Sequence, residues 1–237
     1  MKIATSFRVS IILTLCITTN TMYGQARVTA RQNGANTELY FTRAVKAPTY
    51  DEVIGSPYLY KEFVPAQVNE IEMTHFIRFN VYDKNIEFKG EDDIIYSMAK
   101  PNEYRIKLLD GSNKIYETHD FEDGKKEVGN TFFERIFANE KFALYHRDMI
   151  EYTPVKLARN SFEANKPAKF IKTKGEFYYQ ELNAGTPKLL KLPKREKLFL
   201  KQFDKHSTSV KKLIQKEKLK VDVKEDLIRI LEYYFNQ

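Results

Sequence analysis

The stretch "HFIRFNVYDKNIEFKG", residues His75–Gly90, decides the fold class. Ile77, Phe79 and Val81 alternate with residues that point the other way, and the period resumes at Ile86 after the polar break "DKN". A period of two residues is typical of a strand with one buried face. The stretch therefore predicts two antiparallel strands joined by a tight turn, with the Phe79 face buried.

The same pattern recurs along the chain at short intervals. "DIIYSM" (Asp93–Met98) and "KLLKL" (Lys188–Leu192) are predicted as single strands. Short strands at this spacing predict a mainly β body over residues 27–192, arranged as an antiparallel meander, a barrel or a sandwich. Three further predicted strand pairs are "YRIKLL" with "KIYETH" around Asp110–Asn113, "FFERIF" with "KFALYHRDMIEY" around Ala138–Glu140, and "KFIKT" with "EFYYQEL" around Lys174–Gly175.

Residues 193–237 show the period of helices instead, so the fold is α+β overall. Val210, Leu213 and Ile214 lie at helical spacing, and "DVKEDLIRILEYYF" carries an apolar stripe after Asp222, its expected N-cap. Isolated helices of about 12 residues are marginal in water. We therefore expect three short helices that pack on the β body, with Tyr233–Phe235 either against the sheet or capping an open end of it.

Residues 1–26 have the pattern of a secretory signal peptide. Lys2 and Arg8 precede a short apolar run, and the small residues Gly24 and Ala26 follow it. The run is about half of the ~20 residues that span a bilayer, although an uncleaved anchor is the alternative. Cys16 is the only cysteine, and because Leu15 precedes it, the pattern of a lipoprotein is not met. These features predict export to the periplasm, the outer membrane or the outside, and a mature chain without disulfides.

The charge is divided unevenly along the chain. Residues 27–154 hold 17 Lys and Arg against 22 Asp and Glu, whereas residues 155–237 hold 20 against 10. The basic end predicts either a solvated helical surface, which can fold back on the acidic body, or a contact with an anionic surface or envelope protein. Export argues against nucleic acid as the partner. The candidate contact residues are Lys211, Lys212, Lys216, Lys218 and Lys220.

No sequence motif for catalysis, cofactor binding or a metal site is found, so no catalytic residue, cofactor or metal ligand is predicted. The four histidines lack metal-ligand spacing. His146-Arg147-Asp148 imitates a kinase catalytic triplet, but Thr153 stands where that motif requires Asn. Two acidic stretches, Glu91–Asp93 and Phe121–Glu127, are interpreted as solvated loops.

Four strings resemble exported β-rich proteins of unknown function from Bacteroidota. They are "GSPYLYKEFVPAQV", "IRFNVYDKNIEFK", "KPAKFIKTKGEFYY" and "EDLIRILEYYF". The resemblance implies export and a β-rich fold, and it implies no activity.

Two functions fit these observations best, and an enzyme whose site is assembled from distant residues ranks third. The first is a non-enzymatic cell-envelope protein that acts as an interaction or structural component. The alternative is a β-barrel that binds a small or lipid-like ligand in its interior. The two predict different interiors, since the first needs a packed core and the second an apolar cavity of several hundred Å³.

The signal-peptide pattern predicts a mature N-terminus at Gln25 or Arg27. N-terminal sequencing of the exported protein measures this directly. Exported protein that still begins at Met1 would overturn the cleavage.

Overall fold

The chain is described by a computed structural model over residues 27–32, 35–44, 53–69, 71–90, 94–98, 103–122, 128–160, 162–183 and 189–237. The predicted signal peptide and most of both acidic stretches lie outside these ranges. The described chain is mainly β, as the sequence predicts. Its strands are β1 (Arg27–Gln32), β2 (Ala35–Ala44), β3 (Val64–Val68), β4 (Thr74–Asn80), β5 (Asn85–Lys89), β6 (Ile95–Met98), β7 (Arg105–Leu108), β8 (Ile115–Glu122), β9 (Val128–Ala138), β10 (Phe142–Thr153), β11 (Lys169–Glu181) and β12 (Leu189–Lys191).

Three short helices follow the last strand, again as predicted. They are α1 (Glu196–Leu200), which continues as a 3₁₀ helix (Lys201–His206), α2 (Ser207–Glu217) and α3 (Lys224–Phe235). Within the described ranges, none of the helices has the length and apolar character needed to cross a bilayer.

The strands pair in the order β1-β2-β6-β5-β4-β3-β7-β8-β9-β10-β11-β12. Every pair of neighbours is antiparallel, and most neighbours follow each other in the chain, which is the result of repeated tight turns. The described strands β1 and β12 stand at the two ends of this order and do not pair with each other. The sheet is therefore open, and the architecture is a curled meander.

The sheet curls so strongly that its long strands bury both faces. β5 contacts β9, and β8 contacts β12. Phe132 belongs to a main core with Phe79 and Ile106, whereas the next residue, Phe133, belongs to an inner cluster with Tyr178. Consecutive residues of a strand point to opposite faces. We call the face that carries Phe132 the front and the face that carries Phe133 the back.

The β4–β5 hairpin confirms the strand phase predicted from the opening stretch. Ile77 and Phe79 are fully buried, while Phe76 on the other face is 55% exposed. The polar face is more buried than predicted, however. The guanidinium of Arg78 donates to Glu87 Oε2 at 2.6 Å, and the Glu87 side chain is only 1% exposed. The Arg78 guanidinium also lies 3.7 Å from the ring centroid of Tyr58, and this cation–π contact joins the hairpin to the preceding loop.

The predicted turn at Lys174–Gly175 is wrong, because β11 runs through both residues. The register between β10 and β11 shifts there, and Lys174 and Gly175 together oppose the single residue Asp148. A Cβ on Gly175 would lie 2.2 Å from His146 Nε2. The glycine is therefore explained by the close approach of the His146 ring to the backbone at a bulge, a common place for strand glycines.

The helices pack on the front face of β10 and β11 through a helix-side core. Phe142 and Leu144 of β10 meet Phe203 of the 3₁₀ helix and Leu227 of α3, and all four are buried. The rings of Phe142 and Phe235 stack with centroids 5.1 Å apart. The apolar sides of the helices are therefore buried against the sheet.

Two details of the tail differ from the sequence prediction. Asp222 does not cap α3, whose N-cap is Val223 without a side-chain hydrogen bond. The carboxylate that organises this turn belongs to Asp226, which accepts the Lys220 backbone N–H at 2.8 Å. Tyr233 remains 38% exposed and does not join Tyr234 and Phe235 in the helix-side core.

We predict that Phe79→Ala lowers the free energy of unfolding by about 3–5 kcal/mol, because it opens a cavity in the main core. Phe76→Ala is the matched control on the exposed face and should have little effect. Chemical denaturation measures both, and equal losses would contradict the assigned strand phase. Arg78→Ala is unsuitable as a control, since it leaves the Glu87 carboxylate buried without its partner.

We predict that Leu227→Ala lowers the free energy of unfolding by about 2–5 kcal/mol, because Leu227 is fully buried between α3 and the sheet. The triple variant Lys211→Glu, Lys212→Glu and Lys216→Glu changes only exposed positions and should leave stability nearly unchanged. A denaturant midpoint that is unaffected by Leu227→Ala would show that the helices do not depend on the sheet.

Candidate functional site

The five lysines singled out from the sequence all lie on the exposed side of the helical tail. Lys211, Lys212 and Lys216 belong to α2 and are exposed, while Val210 and Ile214 of the same helix are buried. Lys218 and Lys220 follow in the α2–α3 connection, where they are also exposed. The apolar side of α2 therefore faces the protein, and its basic side faces solvent.

These lysine side chains form no ion pair with any residue that the structure describes. Three acidic side chains of the tail pair with other residues. Glu217 pairs with Arg229, and Glu225 pairs with Lys224. Asp222 lies 3.8 Å from Lys174 of the sheet. The positive charge of the five lysines is thus left uncompensated by close contacts within the described chain.

A shallow depression between α1 and α2 extends the basic surface. It has a volume of about 630 Å³ and is lined by three lysines and one acidic residue, with Leu200 and Ser207 between them: Lys197, Lys201, Lys211 and Glu196. Lysine is a flexible point charge, and several lysines around one open surface create a positive potential without requiring a shaped ligand.

One small cavity lies inside the described part of the sheet. It is lined by Ile86, Met98, Tyr104 and Phe132 and has a volume of only about 10 Å³, which is room for about one water molecule. This site is far smaller than the several hundred Å³ that a small or lipid-like ligand needs.

A second group of polar side chains lies in the middle of β10. On the front face of this strand, Phe142 and Leu144 belong to the helix-side core and Ile150 belongs to the main core. His146 and Asp148 stand between them on the same face. A polar segment is thus enclosed between two apolar ones along a single strand.

Neighbouring strands bring two more polar side chains to this segment. His146 pairs directly with Glu134 of β9, and Glu134 pairs with Tyr116 of β8. Directly opposed residues in an antiparallel sheet share a face. Ligand atoms of Glu134, His146 and Asp148 lie within 4.8 Å of one another. We call these three residues the carboxylate–histidine cluster.

Two lysines balance the charge of the cluster. Lys114 Nζ lies 3.2 Å from Glu134 Oε2, and Lys172 Nζ lies 3.2 Å from Asp148 Oδ1. The carboxylates are shielded, with side-chain exposures of 17% for Glu134 and 11% for Asp148, whereas Lys114 and Lys172 are 37% and 59% exposed. The acidic groups are therefore fixed in the protein, and the lysines reach them from its surface.

The electrostatic environment sets the protonation of the cluster. Burial lowers the pKa of His146 below its ordinary value, and the Asp148 and Glu134 carboxylates offset only part of this effect. The ring is therefore neutral at pH 7. Burial raises the pKa of Tyr116, and Glu134 and Tyr60 raise it further, so that the phenol keeps its proton.

A different polar group on the back face is structural. Glu117 lies between the Tyr145 hydroxyl, which donates to it at 2.9 Å, and Arg135, at 3.0 Å. Burial raises the pKa of Glu117, but its contacts with His119, Tyr145 and Arg135 outweigh burial and hold the pKa below its usual range. The carboxylate is thus ionised and fully engaged in joining β8, β9 and β10.

The sequence contained a signal for the cluster that its kinase-like appearance obscured. In a strand, the spacing His-x-Asp places residues 146 and 148 on one face, where both can reach the same ligand. Glu134 could not be found in this way, because its pairing with His146 depends on the β9–β10 register, which shifts between Leu144 and Tyr145.

Comparisons with known proteins give no relative for this chain: no family model matches it, and neither a curated protein nor a solved structure shows significant similarity.

Proposed function

We propose that this protein is an exported, non-enzymatic component of the cell envelope that contacts an anionic surface through the basic face of its C-terminal helices. The observation that carries the proposal is the exposure of Lys211, Lys212, Lys216, Lys218 and Lys220 without ion-pair partners among the described residues.

The docking of the helices supports this function because it fixes the orientation of α2 and keeps its lysines exposed to solvent. Val210 and Ile214 of α2 are buried in the helix-side core, so the helix cannot rotate its basic side inwards without exposing them. Lys197 and Lys201 add to the same surface at the depression beside Lys211. Each lysine held near an anionic membrane contributes about 1 kcal/mol to binding.

The small volume of the described interior cavity also favours this function over the alternative. A binding protein for a small or lipid-like ligand needs an apolar pocket of several hundred Å³. The cavity inside the sheet measures about 10 Å³. A surface contact requires no such pocket.

The proposal predicts that the protein sediments with vesicles that contain phosphatidylglycerol and stays in solution with vesicles of phosphatidylcholine. Binding should weaken as salt is added, because exposed charges are screened over about 8 Å at physiological ionic strength. The variant Lys211→Glu, Lys212→Glu and Lys216→Glu should weaken binding roughly 100-fold or more, at about 1 kcal/mol per lost lysine.

A matched control reverses three exposed lysines of the body, Lys61→Glu, Lys107→Glu and Lys166→Glu. It changes the net charge by the same amount and should retain most of the binding. Equal losses in both variants would show that only total charge matters. Failure of the unaltered protein to bind at low salt would leave the helices with a packing role alone.

A further inference from the structure

We propose that the carboxylate–histidine cluster of Glu134, His146 and Asp148 is a binding site for a divalent transition-metal ion such as Zn²⁺. One imidazole nitrogen and two carboxylate oxygens are donors that Zn²⁺ accepts, and three protein ligands leave a position for water. The inference is independent of the basic tail surface.

The geometry of the three side chains is close to that of a metal site. Ligands at about 2.1 Å from a tetrahedral ion are about 3.4 Å apart. The ligand atoms of the cluster lie within 4.8 Å of one another. Small side-chain rotations of about 1 Å therefore bring them into coordination, and the backbone does not have to move.

The backbone around His146 holds the ring in one place. A Cβ at position 175 would lie 2.2 Å from His146 Nε2 and 2.4 Å from the Arg147 carbonyl oxygen, so only glycine leaves room for the ring. On the same strand, Phe177 packs against the imidazole with centroids 4.9 Å apart. A metal-binding histidine needs such support, because its orientation sets the direction of the donor nitrogen.

An independent observation at the same place is the hydrogen bonding of the buried Tyr116 hydroxyl. This residue is 1% exposed, and although the Tyr60 side chain lies beside it, its hydroxyl has no hydrogen bond of normal geometry with any described residue. It is the direct cross-strand neighbour of Glu134. A buried hydroxyl without a partner is unfavourable. A carboxylate that turns toward an ion, or water on that ion, would supply the acceptor that the hydroxyl lacks.

The charges at the site allow an exchange between lysines and metal. Two carboxylates are balanced either by Lys114 and Lys172 or by one divalent ion. Both lysines are partly exposed and each contacts a single carboxylate, so they can move into solvent when an ion arrives. The lysines then act as competitors that lower the affinity for the metal.

Calorimetric titration of tag-free, EDTA-treated protein with ZnCl₂ tests the proposal. We expect one ion per chain and a rise in Tm with added Zn²⁺, since an ion that binds only the folded state stabilises it. The isosteric variants Glu134→Gln and Asp148→Asn, together with His146→Gln, should each weaken binding more than about 100-fold. Glu151→Gln, an exposed carboxylate on the same strand, is the matched control and should bind as the unaltered protein does.

Two further variants distinguish a specific metal site from adventitious Zn²⁺ binding. Lys114→Gln should strengthen Zn²⁺ binding, because it removes a competitor for Glu134. Tyr116→Phe should raise the Tm of the metal-free protein while it weakens Zn²⁺ binding about tenfold, as the loss of a supporting hydrogen bond does. The proposal is overturned if Zn²⁺ does not bind, or if the three ligand variants bind it as tightly as Glu151→Gln.

Discussion

The packing of Phe142 and Leu144 against the C-terminal helices is the contact on which the rest of the structure depends. Each helix alone is too short to be stable in water, so it exists only where its apolar side is buried. β10 provides that surface at one end and contributes Ile150 to the main core at the other. The strand therefore links the helical tail to the curled sheet.

This arrangement also determines where the polar groups of β10 can lie. His146 and Asp148 occupy the stretch of the front face between the two cores. Polar side chains in such a position are partly desolvated, and they persist only with partners. Glu134, Lys114 and Lys172 are those partners in the described structure. The enclosure that desolvates these polar groups also brings the ligand atoms of Glu134, His146 and Asp148 within 4.8 Å of one another.

Charge is used differently in the two parts of the molecule. Inside the sheet, acidic groups such as Glu87 and Glu117 are held by arginines at short distance. Buried pairs of this kind require good geometry, because desolvation opposes them. In the C-terminal tail, by contrast, Lys211, Lys212, Lys216, Lys218 and Lys220 form no ion pair with any described residue and face water, where separated charges cost little. The basic surface is thus compatible with a stable tail, and it is available for an anionic partner.

The sequence alone determined the strands and helices for which the local pattern is strong. Alternation around Phe79 and the helical stripe around Leu227 report burial directly, because period two and period 3.6 are consequences of backbone geometry. Exposure of Lys211, Lys212 and Lys216 followed in the same way from the apolar stripe of Val210, Leu213 and Ile214. The turn predicted at Gly175 was wrong, since a glycine that relieves a contact with a distant side chain looks the same in sequence as one that forms a turn.

Only the tertiary structure decided which polar residues meet. The pairing of Glu134 with His146 depends on register, on a bulge in β9 and on the curl of the sheet, and none of these leaves a local pattern. Partial burial of Arg78 on the polar face was likewise decided by Glu87 and Tyr58. The physical reason is the same in both cases: periodicity encodes which side of an element is buried, whereas contacts between elements depend on long-range pairing that is settled only when the whole sheet has formed.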